Sequence, residues 1–144
     1  MAASFQVTFD CADPEGVSKF WSALLGYVQQ PPPEGYDLWE DWLRAMGIPE
    51  DDWNSAGAAV DPDGEGPRLY FQRVPEAKVA KNRVHLDVNV GGGKGMPLEQ
   101  RRARVESEAR RAISLGAREL YRVEERGEFH ITLQDPEGNE FCLQ

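Results

Sequence analysis

The chain of 144 residues holds two histidines and two cysteines, and their neighbours decide what chemistry they can do. His85 stands in the alternating run 83–90, with Asp87 two residues on and so on the same face of an extended strand. Neutral imidazole is a metal ligand and a general base. A carboxylate at that spacing can orient the ring or take its proton through water. A histidine that only makes a structural hydrogen bond fits the same spacing. His130 lies between Phe129 and Ile131. If that apolar pair faces a helix layer, His130 points to the opposite side, toward the face expected for His85. Cys142 reads either as a buried structural thiol or as a soft ligand for zinc or iron. Cys11 and Cys142 make no disulfide framework, so a reducing cytoplasm is the expected setting. No Ser-His-Asp arrangement is readable. The run Gly91-Gly92-Gly93-Lys94-Gly95 lacks the ending and spacing of a phosphate loop and reads as a flexible linker.

Aromatic side chains and charge mark a second region. Residues 34–60 form an acidic insertion that carries Trp39, Trp42 and Trp53, three of the four tryptophans. Its aromatics either plug into the core or line a pocket, with Trp39 and Trp42 as the pocket candidates. The net charge is −9, and residues 1–80 carry all of it; residues 81–144 hold 11 acids and 11 bases. That balance argues against nucleic acid as a partner. No apolar run approaches the roughly 18–20 residues that span a bilayer, and no secretory signal is visible. An acidic pocket rim favours a cationic guest.

These residues need elements to hold them. Val7 and Phe9 alternate with Gln6, Thr8 and Asp10 as a strand. Asp13-Pro14 starts a helix with Val17, Phe20, Trp21, Leu24 and Leu25 on one face, closed by Gly26. Tyr27 and Val28 begin a strand. Leu38 to Met46 suggest a short helix stopped by Gly47. Strands follow at 56–60 and 68–74, joined by an Asp61-Pro62-Asp63-Gly64 turn. In the second half a strand is expected over 83–90. A helix from Pro97 follows, with Val105, Ala109, Ala112 and Ile113 on one face and a solvated, ion-paired Arg/Glu face opposite. Strands at 120–123, 129–133 and 141–143 complete it, with an Asp135-Pro136-Glu137-Gly138 turn before the last.

The halves repeat one order: strand, helix closed by Leu-Gly, further strands, an Asp-Pro-acid-Gly turn, closing strand. The landmarks are Leu25-Gly26 with Leu115-Gly116, and Asp61 with Asp135. The expected fold is α+β, one domain over 1–144 built from two βαβββ modules, 1–80 and 81–144. They are expected to form a curved, mixed, mostly antiparallel sheet with helices outside and a concave cavity inside.

The pieces Asp13-Pro14 to Phe20-Trp21, Leu24-Leu25-Gly26-Tyr27, His85-Leu86-Asp87-Val88, Leu115-Gly116-Ala117 and Asp135 to Phe141 occur in this order over nearly the whole chain. Together they resemble the vicinal oxygen chelate superfamily, which includes glyoxalase I, extradiol dioxygenases and the bleomycin- and fosfomycin-resistance proteins. Segments 71–76 and 81–87 are similar to a glyoxalase-like subgroup typical of actinobacterial genomes. The resemblance implies a divalent metal (Zn, Fe, Ni or Mn) held by one residue from each of four strands, and a two-fold homodimer. Carried over position by position, it places metal ligands at Gln6, His85 and Cys142. Cys142 stands where the family has a glutamate. Glu140 lies two residues earlier, about 6–7 Å away along a strand, too far to replace it. The fourth position falls near Tyr70 or Phe71, with Gln72 next door, and offers no ordinary ligand.

Three functional expectations follow. One is a metal-free protein that binds a small cationic or aromatic molecule, with Trp39, Trp42 and His130 in the pocket. One is an enzyme that uses His85 and Asp87, either with a divalent metal or by acid–base chemistry alone. One is a structural or regulatory dimer without a ligand.

Overall fold

The computed structural model describes all residues, Met1–Gln144, and they form two compact units, Met1–Ala77 and Lys78–Gln144. The N-terminal unit runs β1 (Val7–Cys11), α1 (Pro14–Leu25), β2 (Val28–Gln29), α2 (Trp39–Ala45), a 3-10 turn (Glu50–Asp52), β3 (Ala56–Val60) and β4 (Leu69–Arg73). The C-terminal unit runs β5 (Leu86–Val88), α3 (Leu98–Ser114), β6 (Arg118–Glu125), β7 (Glu128–Gln134) and β8 (Glu140–Leu143). Each unit is βαβββ, and each has one four-stranded sheet of the same topology: β1-β4-β3-β2 and β5-β8-β7-β6. First and last strands pair in parallel and the remaining neighbours antiparallel, so both sheets are mixed and mostly antiparallel. A parallel pair needs a crossover, and the helix of each unit provides it. No helix is long and apolar enough to cross a membrane.

In the N-terminal unit Asp13 caps α1, its carboxylate accepting from the Gly16 N–H at 3.1 Å, and Gly26 closes it in the left-handed region at φ 73°. Val17, Phe20, Trp21 and Leu24 recur every three to four residues and are all buried. They face Phe9, Leu69 and Phe71, with the Phe9 and Phe71 rings stacked at 5.1 Å. Gly57 lets α1 lie close to β3, since a Cβ there would sit 3.3 Å from Pro14 O and Ser18 Oγ. Alternation then sends Thr8, Asp10, Tyr70 and Gln72 to the sheet face away from α1.

In the C-terminal unit α3 lies on Phe129, Ile131 and Leu133 of β7 through Val105, Ala109 and Ala112. Ile113, expected on this stripe, is 45% exposed. At about 100° per residue it falls roughly 80° round from Val105, beyond the narrow buried face. The other face of α3 is tied to β6: Arg102 pairs with Glu106 and Glu124, and Arg122 with Glu106 and Glu119. These charges also line the outer strand of the sheet, where they discourage pairing with another chain.

The run 83–90 reads as a longer strand than forms. Only Leu86–Val88 are paired, because their single neighbour, β8, is four residues long. Upstream, the chain is held by a side chain instead. Glu140 accepts from the Asn82 N–H at 2.9 Å and pairs with Lys78 at 3.2 Å, with 9% of its side chain exposed. Burial works against its charge. The Asn82 N–H, its own backbone N–H and Lys78 outweigh that and hold its pKa at about 2.

The duplicated turns are built alike. Asp61 accepts from the N–H groups of Asp63, Glu65 and Gly66. Asp135, 3% exposed, accepts from Glu137 N, Asn139 N and Asn139 Nδ2 at 2.9–3.0 Å. Asp135→Ala orphans these part-buried donors, and should cost about 1–3 kcal/mol and roughly 3–12 °C in melting temperature; a calorimetric shift under about 2 °C would contradict this role. Glu140 has a folded pKa below its unfolded value, so its contribution is present above about pH 4.5 and is lost as pH falls toward 2. Glu140→Gln is therefore expected to lower stability at pH 7, and to flatten its pH dependence between about 2 and 4.5 in urea titrations.

Candidate functional site

The parallel pairing of β5 with β8 places Asp87 directly beside Cys142, and the antiparallel pairing of β8 with β7 places Cys142 beside Thr132. All three point to the face away from α3, because Ile131, Leu133, Phe141 and Leu143 take the buried face. His85, just before β5, shares the side of Asp87, and its Nε2 lies 3.2 Å from Asp87 Oδ1. Nitrogen, carboxylate oxygen and Cys142 Sγ all lie within 4.8 Å of one another. Thr132 Oγ1 is 3.3 Å from Sγ. Burial first, and then the Asp87 carboxylate, push the Cys142 thiol above its usual range, against the Thr132 hydrogen bond and the charge of Lys81. Cys142 is 8% exposed, whereas the side chains of His85 and Asp87 are 41% and 47% exposed.

Of the residues singled out from sequence, His85, Asp87 and Cys142 are thus brought together. His130 lies on the same sheet face, two residues along β7 from Thr132 and opposite Val123 of β6. Gln6 belongs to the N-terminal unit, where its Oε1 accepts from Arg68 at 3.0 Å. The fourth strand position carries Tyr70, under the Arg68 guanidinium at 5.2 Å, and Phe71, fully buried. Gln72 donates to Asp10 at 2.7 Å. Glu140 is taken by Lys78 and Asn82. The donors that converge are imidazole, carboxylate and thiol, a set that fits zinc or ferrous iron.

A cavity of about 660 Å³ lies within the N-terminal unit, between residues 34–55 and β3; the expected insertion 34–60 gives its end, Ala56–Val60, to the sheet. It lies beyond β2, which is only two residues long and is continued along β3 by the Gln30 N–H to Ala58 O bond at 2.9 Å. Trp39, Trp42, Trp53, Leu43 and Ile48 line it from the insertion, and Tyr70 from the sheet. Trp39 donates to Gln30 O at 2.8 Å and Trp53 to Ile48 O at 2.9 Å, so each indole has a fixed polar end. The Trp39 and Trp42 rings meet edge to face at 5.6 Å. Glu15, Asp37 and Glu40 bring carboxylates to the wall. Lys19 is paired with Glu15, and Arg68 is held by Gln30 and Gln6. Three acids, Glu15, Asp37 and Glu40, against two bases, Lys19 and Arg68, leave the lining with an excess of one negative charge.

Trp39 and Trp42 stood out in the sequence, and Leu43 follows from the same helical spacing; Ile48 and Trp53 complete the wall through a fold-back that no periodicity announces. Thr132 was missed too. Its alternation with Ile131 and Leu133 gives its side, and only strand register gives its neighbour Cys142.

No curated protein matches the sequence. Solved structures do resemble it. A glyoxalase/bleomycin resistance protein/dioxygenase family enzyme from Burkholderia phytofirmans has a TM-score of 0.61 at 15% identity, covering 96% of this chain and 94% of that one. A variant of the fosfomycin resistance protein of Listeria monocytogenes, solved with Mn(II) and 1S,2S-dihydroxypropylphosphonic acid, has a TM-score of 0.62 at 10% identity, covering 100% and 90%. A hypothetical protein from S. aureus has a TM-score of 0.63 at 13% identity, covering 99% and 93%. At these identities the likeness is one of fold. The family model described as the glyoxalase-like domain matches residues 6–144, and the chain belongs to that family.

Proposed function

We propose that this protein binds a small aromatic organic cation in the tryptophan-lined cavity of its N-terminal unit. The observation that carries the reading is the cavity itself. Its volume of about 660 Å³ lies in the range of small-molecule sites, roughly 300–1,000 Å³. Its walls combine indole faces with the carboxylates of Asp37 and Glu40. An indole face attracts a cation through its quadrupole, and the excess carboxylates repel an anion. Lys19 is already paired with Glu15, and the Arg68 guanidinium is held by Gln30 and Gln6 and lies over the Tyr70 ring. In this reading the protein works as a homodimer in the cytoplasm. Exposed Val79 and Val84 in the C-terminal unit are consistent with a covered surface, and the free thiols of Cys11 and Cys142 with a reducing compartment.

A second reading is favoured by one observation, the convergence of His85, Asp87 and Cys142. These side chains would hold a divalent metal, and the metal would supply a Lewis acid. Without one, the His85–Asp87 pair at 3.2 Å can still hold and move a proton at Nε2.

Intrinsic fluorescence separates the readings. Titration with benzyltrimethylammonium is expected to quench tryptophan emission to saturation, and phenylacetate to have little effect. Trp39→Leu should weaken the cation by roughly 2–30-fold, the worth of about 0.5–2 kcal/mol of cation–π contact. Equal response to both probes, or binding untouched in Trp39→Leu, would defeat the cavity reading.

A further inference from the structure

We propose that Arg68 is the specificity-determining residue of the tryptophan cavity, and that the guest is a zwitterion whose cation rests on Trp39 and Trp42 and whose carboxylate pairs with the Arg68 guanidinium. This rests on the reading of the cavity as a cation site, and it adds a second, opposite charge to the guest. The observation that carries it is how Arg68 is held. Of the three arginines of the N-terminal unit, Arg44 pairs with Asp41 and Arg73 with Asp52. The partners of Arg68 are neutral. Its Nε donates to Gln30 Oε1 at 2.6 Å, its Nη1 donates to Gln6 Oε1 at 3.0 Å, and its guanidinium lies over the Tyr70 ring at 5.2 Å. These contacts fix the side chain and leave its charge uncancelled. A guanidinium has five N–H donors, and the two bonds leave both N–H groups of Nη2 for a guest. Arg68 is half-buried and lines the cavity.

The cavity is polarised as a result. Of its aromatic rings, Tyr70 already carries the Arg68 guanidinium, and Trp53 carries that of Arg44 at 5.3 Å. Trp39 and Trp42 carry none, and Asp37 and Glu40 stand beside them in the chain. A guest cation is therefore drawn to these two indoles. Gln30 joins this end of the cavity to the other. Its main-chain oxygen accepts from the Trp39 indole at 2.8 Å, and its side-chain oxygen accepts from Arg68. One residue thus holds the groups that receive both charges, which suits a compact guest with a single ring. The arginine fork matches a carboxylate through two parallel bonds. A carboxylate without a cation makes no cation–π contact and meets a lining with one excess negative charge. Joined to a cation already seated on the indoles, it reaches Arg68 as an intramolecular second contact.

The test compares two probes on the full chain by calorimetry. One is benzyltrimethylammonium; the other is 4-(trimethylammoniomethyl)benzoate, the same cation with a carboxylate on its ring. The wild type should bind the zwitterion about 10-fold or more tighter, as a charge-assisted pair requires. Arg68→Gln should bring that ratio to about one by weakening the zwitterion, and Arg68→Lys, which keeps the charge and loses the fork, should keep only part of it. In nitrogen-15 spectra of the wild type, the Arg68 Nε–H signal should shift further with the zwitterion than with benzyltrimethylammonium. That spectrum decides the matter should Arg68→Gln fail to fold, judged by circular dichroism. Benzyltrimethylammonium bound as tightly as the zwitterion, or a preference that survives Arg68→Gln, would overturn this inference and leave the cavity reading standing. No binding of either probe would overturn both.

Discussion

The parallel pairing of the first strand of each unit with its last is the constraint on which the rest depends. It joins residues some 60 positions apart in the N-terminal unit and 55 in the C-terminal one, such as Val7 with Leu69 and Asp87 with Cys142. Parallel strands cannot be joined by a tight turn, so a helix must cross over the sheet between them. That helix takes the apolar half of every strand. The alternate residues are then left to the opposite face, which is where the polar and chemically capable side chains of the C-terminal sheet collect. Asp87, Cys142, Thr132 and His130 owe their common face to this one rule of alternation against α3.

The two units apply the same frame to different ends. In the C-terminal unit the helix and sheet are close-set by Val105, Ala109 and Ala112, and the chemistry is on the sheet. In the N-terminal unit β2 stops after two residues, and the acidic segment 34–55 fills part of the gap. The cavity is what remains. Its tryptophans, Leu43 and Ile48 come from residues 34–55, with Tyr70 and β3 of the repeated frame opposite, so the chain outside the repeat supplies the indole faces of the binding surface. The carboxylates on the same segment give that surface its sign.

Much of the frame was legible because short-range physics sets it. The Asp13 cap, the Gly26 stop and the three-to-four spacing of Val17, Phe20, Trp21 and Leu24 define α1 without tertiary information. Asp61 and Asp135 mark equivalent turns because an aspartate can satisfy several turn N–H groups at once. What escaped depends on partners. The alternation of 83–90 continues past the strand, but pairing ends where β8 ends. Ile113 has the right residue type, yet its angle takes it off the narrow stripe of α3. The meeting of His85, Asp87 and Cys142 needs strand register, which hydrophobic pattern leaves open; the identity of each residue was visible and their distance was not. Ile48 and Trp53 reach the cavity through a 3-10 turn that carries no repeat.

The central claim is that an aromatic cation enters between the tryptophans of the insertion and leaves the core of the same unit undisturbed. The four indole N–H signals in a nitrogen-15 spectrum report on this directly. Trp39, Trp42 and Trp53 line the cavity, whereas Trp21, on the inner face of α1, is 1% exposed. On adding benzyltrimethylammonium, the account predicts saturable shifts for the first three and a stationary signal for Trp21. Shifts confined to backbone amides of 78–144, or Trp21 moving together with the others, would contradict it.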